Sequence, residues 1–375
     1  MLRGDIKLTL MIGPAIPVPV PKPITDALSS VRVTTSTGEP GGFQLTFAFS
    51  SQSPLNTLLL LLGKVGPFIR TVIVVTLNGR SHVLMDGVIT NHQVTPNVQT
   101  GQSVLTVTGS DLTAVMGYFD FSGIPYPAMP PEARVALILA KYAFLGIIPL
   151  VIPSVLTDIP LPTKQIPSQK GTDLYYIQKL AEEAGYVFYI DPGPVAGTNT
   201  AYWGPQVKVG PVQPALNINM DSHTNVESMN FSFNGESKSM PIVMIQNEQT
   251  RVPIPLPIPN VSLLNPPLGL IPPIPTQFPK LDDTAKLNPV RAILRGLSEA
   301  ANSEDAVSGS GSLNVVRYGH VLKARSLVGV RGAGEAFNGL YYVKSVTHNI
   351  KPGEYKQDFQ LTRNGLISTL PRVPA

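Results

Sequence analysis

Five histidines are the residues of this 375-residue chain best suited to acid–base work or metal binding, and they are scattered: His82, His92, His223, His320 and His348. None falls in a His-Glu-x-x-His or comparable ligand spacing. The adjacent carboxylates Glu182-Glu183 and Asp282-Asp283 would project in different directions from a helix, so neither pair can flank one substrate. Both read as solvated charge. The chain has no cysteine, which excludes disulfides, thiolate nucleophiles and Cys-ligated metals. No nucleophile elbow, phosphate-cradling loop or dinucleotide fingerprint occurs, and Gly332-Ala333-Gly334, with no lysine or helix after it, reads as a hairpin tip. His348 sits between apolar strand positions and is read as a ring that holds neighbouring backbone by a hydrogen bond, in preference to proton chemistry. The sole tryptophan, Trp203, reads as a packing anchor rather than a sugar platform. No catalytic, cofactor or metal site is expected, and no enzyme.

The elements that would position such residues are mostly strands. With 38 prolines, 32 glycines and only 14% charged residues, the composition favours a β-rich chain with extended connections over a helical bundle. The length calls for two or three domains, since single cores seldom grow past roughly 250 residues. A formal charge of +4 without clustered Lys and Arg among aromatics gives no nucleic-acid footprint. The start, Met1-Leu2-Arg3-Gly4-Asp5, lacks the apolar segment of a signal peptide, and Pro54 to Leu77 is broken by Lys64, Pro67 and Arg70 short of a membrane span. That stretch reads as a buried helix or turn followed by a strand.

Strand signals cover Ile6–Met11, Ser30–Thr35, Gly42–Ser50, Val72–Leu77, His82–Thr90 and Val104–Thr108, with a tight hairpin at Asn78-Gly79. A helix is expected over Pro131–Leu145, then a proline-rich connection over 149–167. A second helix, capped by Thr172 and ended by Gly185, should lead into a strand over Tyr186–Ile190. Strands resume at Val226–Phe233 and Ser239–Gln246. The stretch Val252–Pro279, with proline every second or third residue, cannot pair as a central strand and reads either as a surface loop or as an arm draped over a neighbour. A helix over Leu287–Ala301 and a flexible linker over Asn302–Ser312 follow. The chain closes with a hairpin turning at Pro352-Gly353, in which Tyr341, Val343 and Val346 face Tyr355, Phe359 and Leu361.

Three stretches resemble a known family. They are Asp86-Gly87-Val88-Ile89 followed by Gly109-Ser110-Asp111-Leu112; the Asp173-Leu174, Leu180-Ala181-Glu182-Glu183-Ala184-Gly185 and Tyr186–Tyr189 unit; and the closing segment from Gly339-Leu340-Tyr341-Tyr342 through His348 and Pro352-Gly353 to Leu361-Thr362-Arg363. Together they resemble the baseplate hub proteins of contractile tails: the late control protein D family of phages and the hub part of type VI secretion (VgrG) spike proteins. The resemblance implies an α+β, mainly β chain with two tube-like antiparallel β-barrel domains flanking a mixed middle. The expected division is 1–118, 119–210 and 211–375, the last carrying the proline-rich insertion at about 252–279 and the helix at about 287–301.

It further implies a homotrimeric adaptor between a sixfold inner tail tube and a threefold spike, assembled in the cytoplasm into a tail or injection particle. The expected partners are further copies of the chain, the tube protein, a separate spike protein, because no spike follows Arg363 here, and neighbouring baseplate proteins. Neither nucleic-acid binding nor membrane insertion is expected. By this resemblance, barrel residues in 28–50 and 313–330 meet the tube, and Arg317, Lys323, Arg325, Tyr341, Tyr342 and His348 are the candidate interaction residues. The alternatives are a tail-associated carbohydrate-binding β protein or a peptidoglycan hydrolase.

Overall fold

The structure, a computed structural model, describes residues 6–14, 16–50, 53, 55–56, 68–96, 103–154, 166–246, 252–259, 266–281, 284, 289–302, 305–370 and 373. The expectations for Asp282-Asp283, and for the parts of the 54–77, 149–167, 252–279 and 287–312 segments beyond those limits, lie outside the described residues.

The first β region holds β1 (Ile6–Pro14), β2 (Val18–Pro19), α1 (Lys22–Asp26), β3 (Leu28–Ser36), β4 (Gly42–Phe49), β5 (Ile69–Leu77), β6 (Arg80–Pro96) and β7 (Ser103–Asp111). The middle holds α2 (Thr113–Met116), α3 (Pro131–Ala140), β8 (Ile147–Val151), α4 (Asp173–Ala184), β9 (Val187–Pro192) and β10 (Asn199–Gly204). Then come β11 (Val212–Asn217), β12 (Val226–Phe233), β13 (Ile242–Gln246), β14 (Pro253–Pro257), β15 (Gly269–Ile271), β16 (Lys280–Leu281) and α5 (Pro289–Asn302). The last stretch is β17 (Val307–Asn314), α6 (Val315–Tyr318), β18 (Leu327–Arg331), β19 (Gly339–Lys351), β20 (Glu354–Arg363) and β21 (Leu366–Ser368). The chain is α+β and mainly β, as its sequence leads one to expect.

Both β regions belong to one sheet, ordered β12-β17-β20-β19-β3-β4-β7-β6-β5-β1-β2, with β18 on β19 and β11 on β18. The joint is β19. Its first residues, Gly339–Tyr342, pair with β18, and Ser345–Ile350 pair with β3 of the first region. One apolar core follows the sheet through both regions, from Leu45, Phe47, Ile73 and Leu105 to Val328, Tyr341, Val346 and Phe359. A second core surrounds α4, where Ile177 and Leu180 meet Leu139 and Trp203, so the tryptophan is the packing anchor its sequence setting implies.

The closing hairpin has the anticipated register, Val343↔Leu361, Val346↔Phe359 and Lys351↔Glu354 around Pro352-Gly353. On an uninterrupted strand Val343 and Val346 would face opposite sides. A bulge between Val343 and Ser345 flips the alternation and turns both into the core. At the other hairpin Asn78 (φ 51°) and Gly79 (φ 76°) both take positive φ, the two-residue turn that matches strand twist. In α4 the Thr172 hydroxyl accepts from the Tyr175 N–H, and Gly185 ends the helix in the left-handed region.

Three expectations are corrected. The segment anticipated as a linker is in part β17, paired on both sides with β12 and β20. Its Ser-Gly alternation reads as loose chain, but a Cβ at Gly309 would stand 2.9 Å from the Phe231 ring and one at Gly311 2.8 Å from the Phe359 ring. The glycines are the space those aromatics fill. The connection after the first helix begins as a strand, β8, parallel to β10. The helix itself ends at Ala140 and is followed by a 3-10 turn at Ala143–Leu145.

The proline-rich stretch forms an edge strand, β14, antiparallel to β13. Ile258 in the same parity donates to Pro241 O at 2.9 Å, so Ile254 and Leu256 face the ladder while Pro253, Pro255 and Pro257 face outward. That outer edge has no N–H to offer.

Candidate assembly interface

Two buried arginines tie the middle of the chain to the two β regions. Arg70, at the start of β5, is the lone charge in an apolar strand. Its Nε and Nη2 donate to Asp86 Oδ1 and Oδ2 at 2.7 and 2.6 Å. The same Nη2 reaches Leu145 O (2.8 Å) and Gly197 O (3.1 Å), and Asn199 Nδ2 donates to Asp86 Oδ2 at 2.9 Å. A bidentate pair whose remaining atoms are satisfied is the form in which burial of two charges is tolerated. The second tie is Arg325, which pairs with Asp191 of β9, lies 4.1 Å over the Tyr189 ring and donates to Ser36 O of β3 at 2.6 Å. One guanidinium thus touches all three regions.

The closing segment is held from inside. Arg363 is fully buried without a carboxylate: Nε donates to Gly365 O, Nη1 to Asn338 O and Nη2 to Ala336 O at 2.7 to 2.9 Å, and the cation lies 4.5 Å over the Tyr341 ring. Gly339 sits at φ 122°, where a Cβ would collide with the Ser368 side chain at 2.0 Å. His348 Nδ1 accepts from Tyr355 Oη (2.8 Å) and Gln357 Nε2 (3.3 Å), and Gln357 ties on to Leu322 N and O. Burial pushes the His348 ring down to about 3, with His82 a smaller cause. It is neutral and internal. Its ties to main chain run through Gln357, where the sequence suggests a direct bond.

Of the six candidate interaction residues, four are turned inward. Tyr341, Tyr342 and His348 are core residues and the Arg325 side chain is 5% exposed. Strand alternation and the bulge put them there, so they shape the scaffold rather than its surface. Arg317 and Lys323 are exposed. Burial lowers the His82 ring most, and Lys323, Arg80 and His320 each lower it further, so all three side chains stand close to that ring. The β5–β6 hairpin and the loop before β18 therefore form one basic patch drawn from both β regions. Arg80 and His320 give no sequence signal for this, because the two halves of the patch, 80–82 and 320–323, lie far apart in the chain. Asp86 and Asp111 lie in motifs singled out by sequence: Asp111 Oδ1 accepts from Thr113 N (3.0 Å), and its Oδ2 from Gly41 N. Arg70 was visible only as an interruption of an apolar run.

Apolar surface is concentrated in two other places. Phe68 stacks on Phe119 (6.5 Å) and meets Tyr118 edge-on (5.8 Å), with both phenylalanines exposed. On the proline-rich strand and beyond, Ile254, Leu256, Leu270, Ile274 and Phe278 are exposed. This module is anchored by α5, whose Arg295 pairs with Glu182 of α4 at 2.8 Å. Among the described residues no helix is long and apolar enough to cross a membrane, and no group of three His, Asp or Glu could hold a metal.

No protein-family model matches the chain and no curated protein matches it in sequence. Solved structures do. The chain superposes on the tail protein from Neisseria meningitidis MC58 with a TM-score of 0.64 at 11% identity, over 97% of this chain and 98% of that one. The 43 kDa tail protein of prophage MuSo2 from Shewanella oneidensis matches at 0.60 and 12% identity, over 95% and 98%. The E. coli c3393 protein matches at 0.53 and 12%, over 93% and 78%; it is described as a component of the type VI secretion system with structural similarity to T4 tail proteins gp27 and gp5. The chain therefore has the fold of phage tail and type VI secretion proteins, as its sequence motifs imply.

Proposed function

We propose that this chain is a structural baseplate hub of a phage tail or related contractile injection system, a homotrimeric adaptor between a sixfold inner tube and a threefold spike. The observation that carries the reading is the end-to-end likeness to two tail proteins, spanning nearly all of this chain and of each of them. The two arginine ties support it, because an adaptor that transmits force between tube and spike needs its regions joined as one body. On this reading the division into 1–118, 119–210 and 211–375 marks two tube-like units around a middle domain. The tube protein meets the basic patch of Arg80, His320 and Lys323 together with the exposed Arg317, and the separate spike protein binds the opposite end. Neighbouring baseplate proteins cover the proline-rich module, and the particle assembles in the cytoplasm before release or delivery.

The test is genetic depletion in the native producer. Without this chain, spike and tube should no longer co-purify, and supplying the chain in trans should restore one particle. Particles that keep tube and spike together in its absence would refute the reading. Dye release from purified cell wall and a glycan array test the hydrolase and carbohydrate-binding alternatives.

A further inference from the structure

The first β region is an incomplete barrel. Its sheet runs β3-β4-β7-β6-β5-β1, and β1 and β3 at the two ends are not hydrogen-bonded to each other. Between them lies a groove of about 840 Å³ lined by Ile6 to Leu10, Leu28 to Val31 and the Ile350–Pro352 turn. Both walls are backbone edges. Leu10 O accepts from Val20 N at 3.0 Å, on the side of β1 away from β5. By strand alternation Ile6 and Leu8 present their N–H and C=O groups to that same side. Opposite, β19 stops pairing with β3 at Val31, where Pro352 turns the chain away, so Leu28–Ser30 has β4 on one flank and the groove on the other.

The chain already shows how this seam is filled. The short β2 lies in it, pairing with Met11 and Ile12 of β1. Below Leu10 no strand of the described residues takes that place. The stretch Ile6 to Thr9, which no described strand pairs on that side, is about 13 Å at ~3.3 Å per residue, and a strand seated there would lie about 4.8 Å from a wall. The floor is apolar, with Leu8, Val20 and Leu28 partly buried against the main core. The rim is basic: among the described residues lining the groove, Lys7, Lys22 and Lys351 are exposed and Asp26 is the one carboxylate, with Glu354 across the hairpin from Lys351.

We propose that this seam is a strand-acceptor groove that takes an extended segment of another protein, with apolar side chains at alternate positions facing the floor and acidic ones facing the three rim lysines. Main-chain hydrogen bonds to Ile6 and Leu8 supply register-independent affinity, and the alternation of apolar and acidic positions supplies selectivity, as in other additions of a strand to an open sheet edge. Occupancy of the groove does not depend on the hub role, since it follows from the open edge and the rim charge alone.

The probes are fluorescent octapeptides: alternating Val-Glu, alternating Val-Lys, and the Val-Glu peptide N-methylated at alternate amides. Their binding to the purified full chain is followed by anisotropy at low salt, and hydrogen exchange maps the site. The expected result is binding of the Val-Glu peptide at least tenfold tighter than either control, with exchange protection at Ile6–Leu10 and Leu28–Ser30. The triple variant K7E/K22E/K351E should reverse the preference toward the Val-Lys peptide. No binding of the Val-Glu peptide at 1 mM (about 4 kcal/mol of standard binding energy), equal binding of all three, or protection elsewhere would overturn the proposal. So would concentration-dependent self-association of the chain that the triple variant abolishes, which would give the groove to a second copy. N-methylation acts on the peptide alone, so its outcome does not depend on how well a variant folds.

Discussion

In the second β region the strand ends are stitched shut from within. Arg363 fills three carbonyls, and His348, Tyr355 and Gln357 close the space between β19, β20 and Leu322. In the first β region the same sheet ends in an open groove between β1 and β3, rimmed by lysines. The two halves share one apolar core, so the contrast is not one of stability overall. It separates residues that hold the shape of the chain from edges left for something else, and it explains why several motif residues that look like interaction points are internal.

The largest effect should come from breaking the interior of the second region. Arg363→Leu removes the donor to the Gly365 and Asn338 carbonyls under Tyr341, while Ala336 O keeps the Ile367 N–H, and about 3 kcal/mol of destabilisation is expected from mechanisms of this size. A fall in the guanidinium midpoint measures it. A midpoint within experimental error of the parent would mean that the carbonyls find water instead.

The ties between regions should break next, and asymmetrically. Arg70→Leu strands the Asp86 carboxylate in a buried site and should cost about 3 kcal/mol, whereas R70L/D86L removes both charges and should recover most of that loss. Asn199 then loses a partner, so recovery short of the parent is expected. A double variant as unstable as the single one would show that the region is held by the hydrogen bonds to Leu145 and Gly197 rather than by the charge pair.

The His348 cluster gives a pH signature. Its folded ring titrates at about 3 against an ordinary 6.5, so the unfolded chain binds a proton that the folded chain does not. Stability is therefore unaffected by this group above pH 6.5 and is lost as pH falls from 6.5 toward 3, with a limiting slope of about 1.4 kcal/mol per unit. His348→Gln should flatten that part of the stability profile. An unchanged acid slope in the variant would place the linkage on other groups.

At the surface the balance reverses. Charge reversal in the patch and at the exposed Arg317 (R80E/R317E/K323E) should move the unfolding midpoint by no more than about 0.5 kcal/mol equivalent, yet abolish binding to purified tube protein. Full tube binding by this variant would mean that these charges take no part in meeting the tube.

Much of the fold is readable in the chain because its signals are local. Asn78-Gly79, Thr172 with Gly185, and Pro352-Gly353 each specify a backbone conformation within a few residues. What sequence conceals is distance. The glycines of β17 look like a linker because the rings they accommodate, Phe231 and Phe359, lie elsewhere in the chain. Tyr341 and Val346 can face one core only because of a bulge that no residue type announces. The basic patch is assembled from positions 80 to 82 and 320 to 323, and the open seam is a property of two strand edges rather than of any motif. Arg325 shows the same limit, since its exposed-looking context gives no sign of the Asp191 and Tyr189 that enclose it.

As a hub, the chain would join tube and spike as three copies in one particle. The most direct test is quantitative mass spectrometry of particles pelleted from the native producer, counting this chain against the tube and spike proteins. The chain should pellet with both, at three copies per particle and in a one-to-one ratio with spike subunits. A chain that remains in the supernatant as a monomer, or pellets at a variable ratio to the spike, would contradict it.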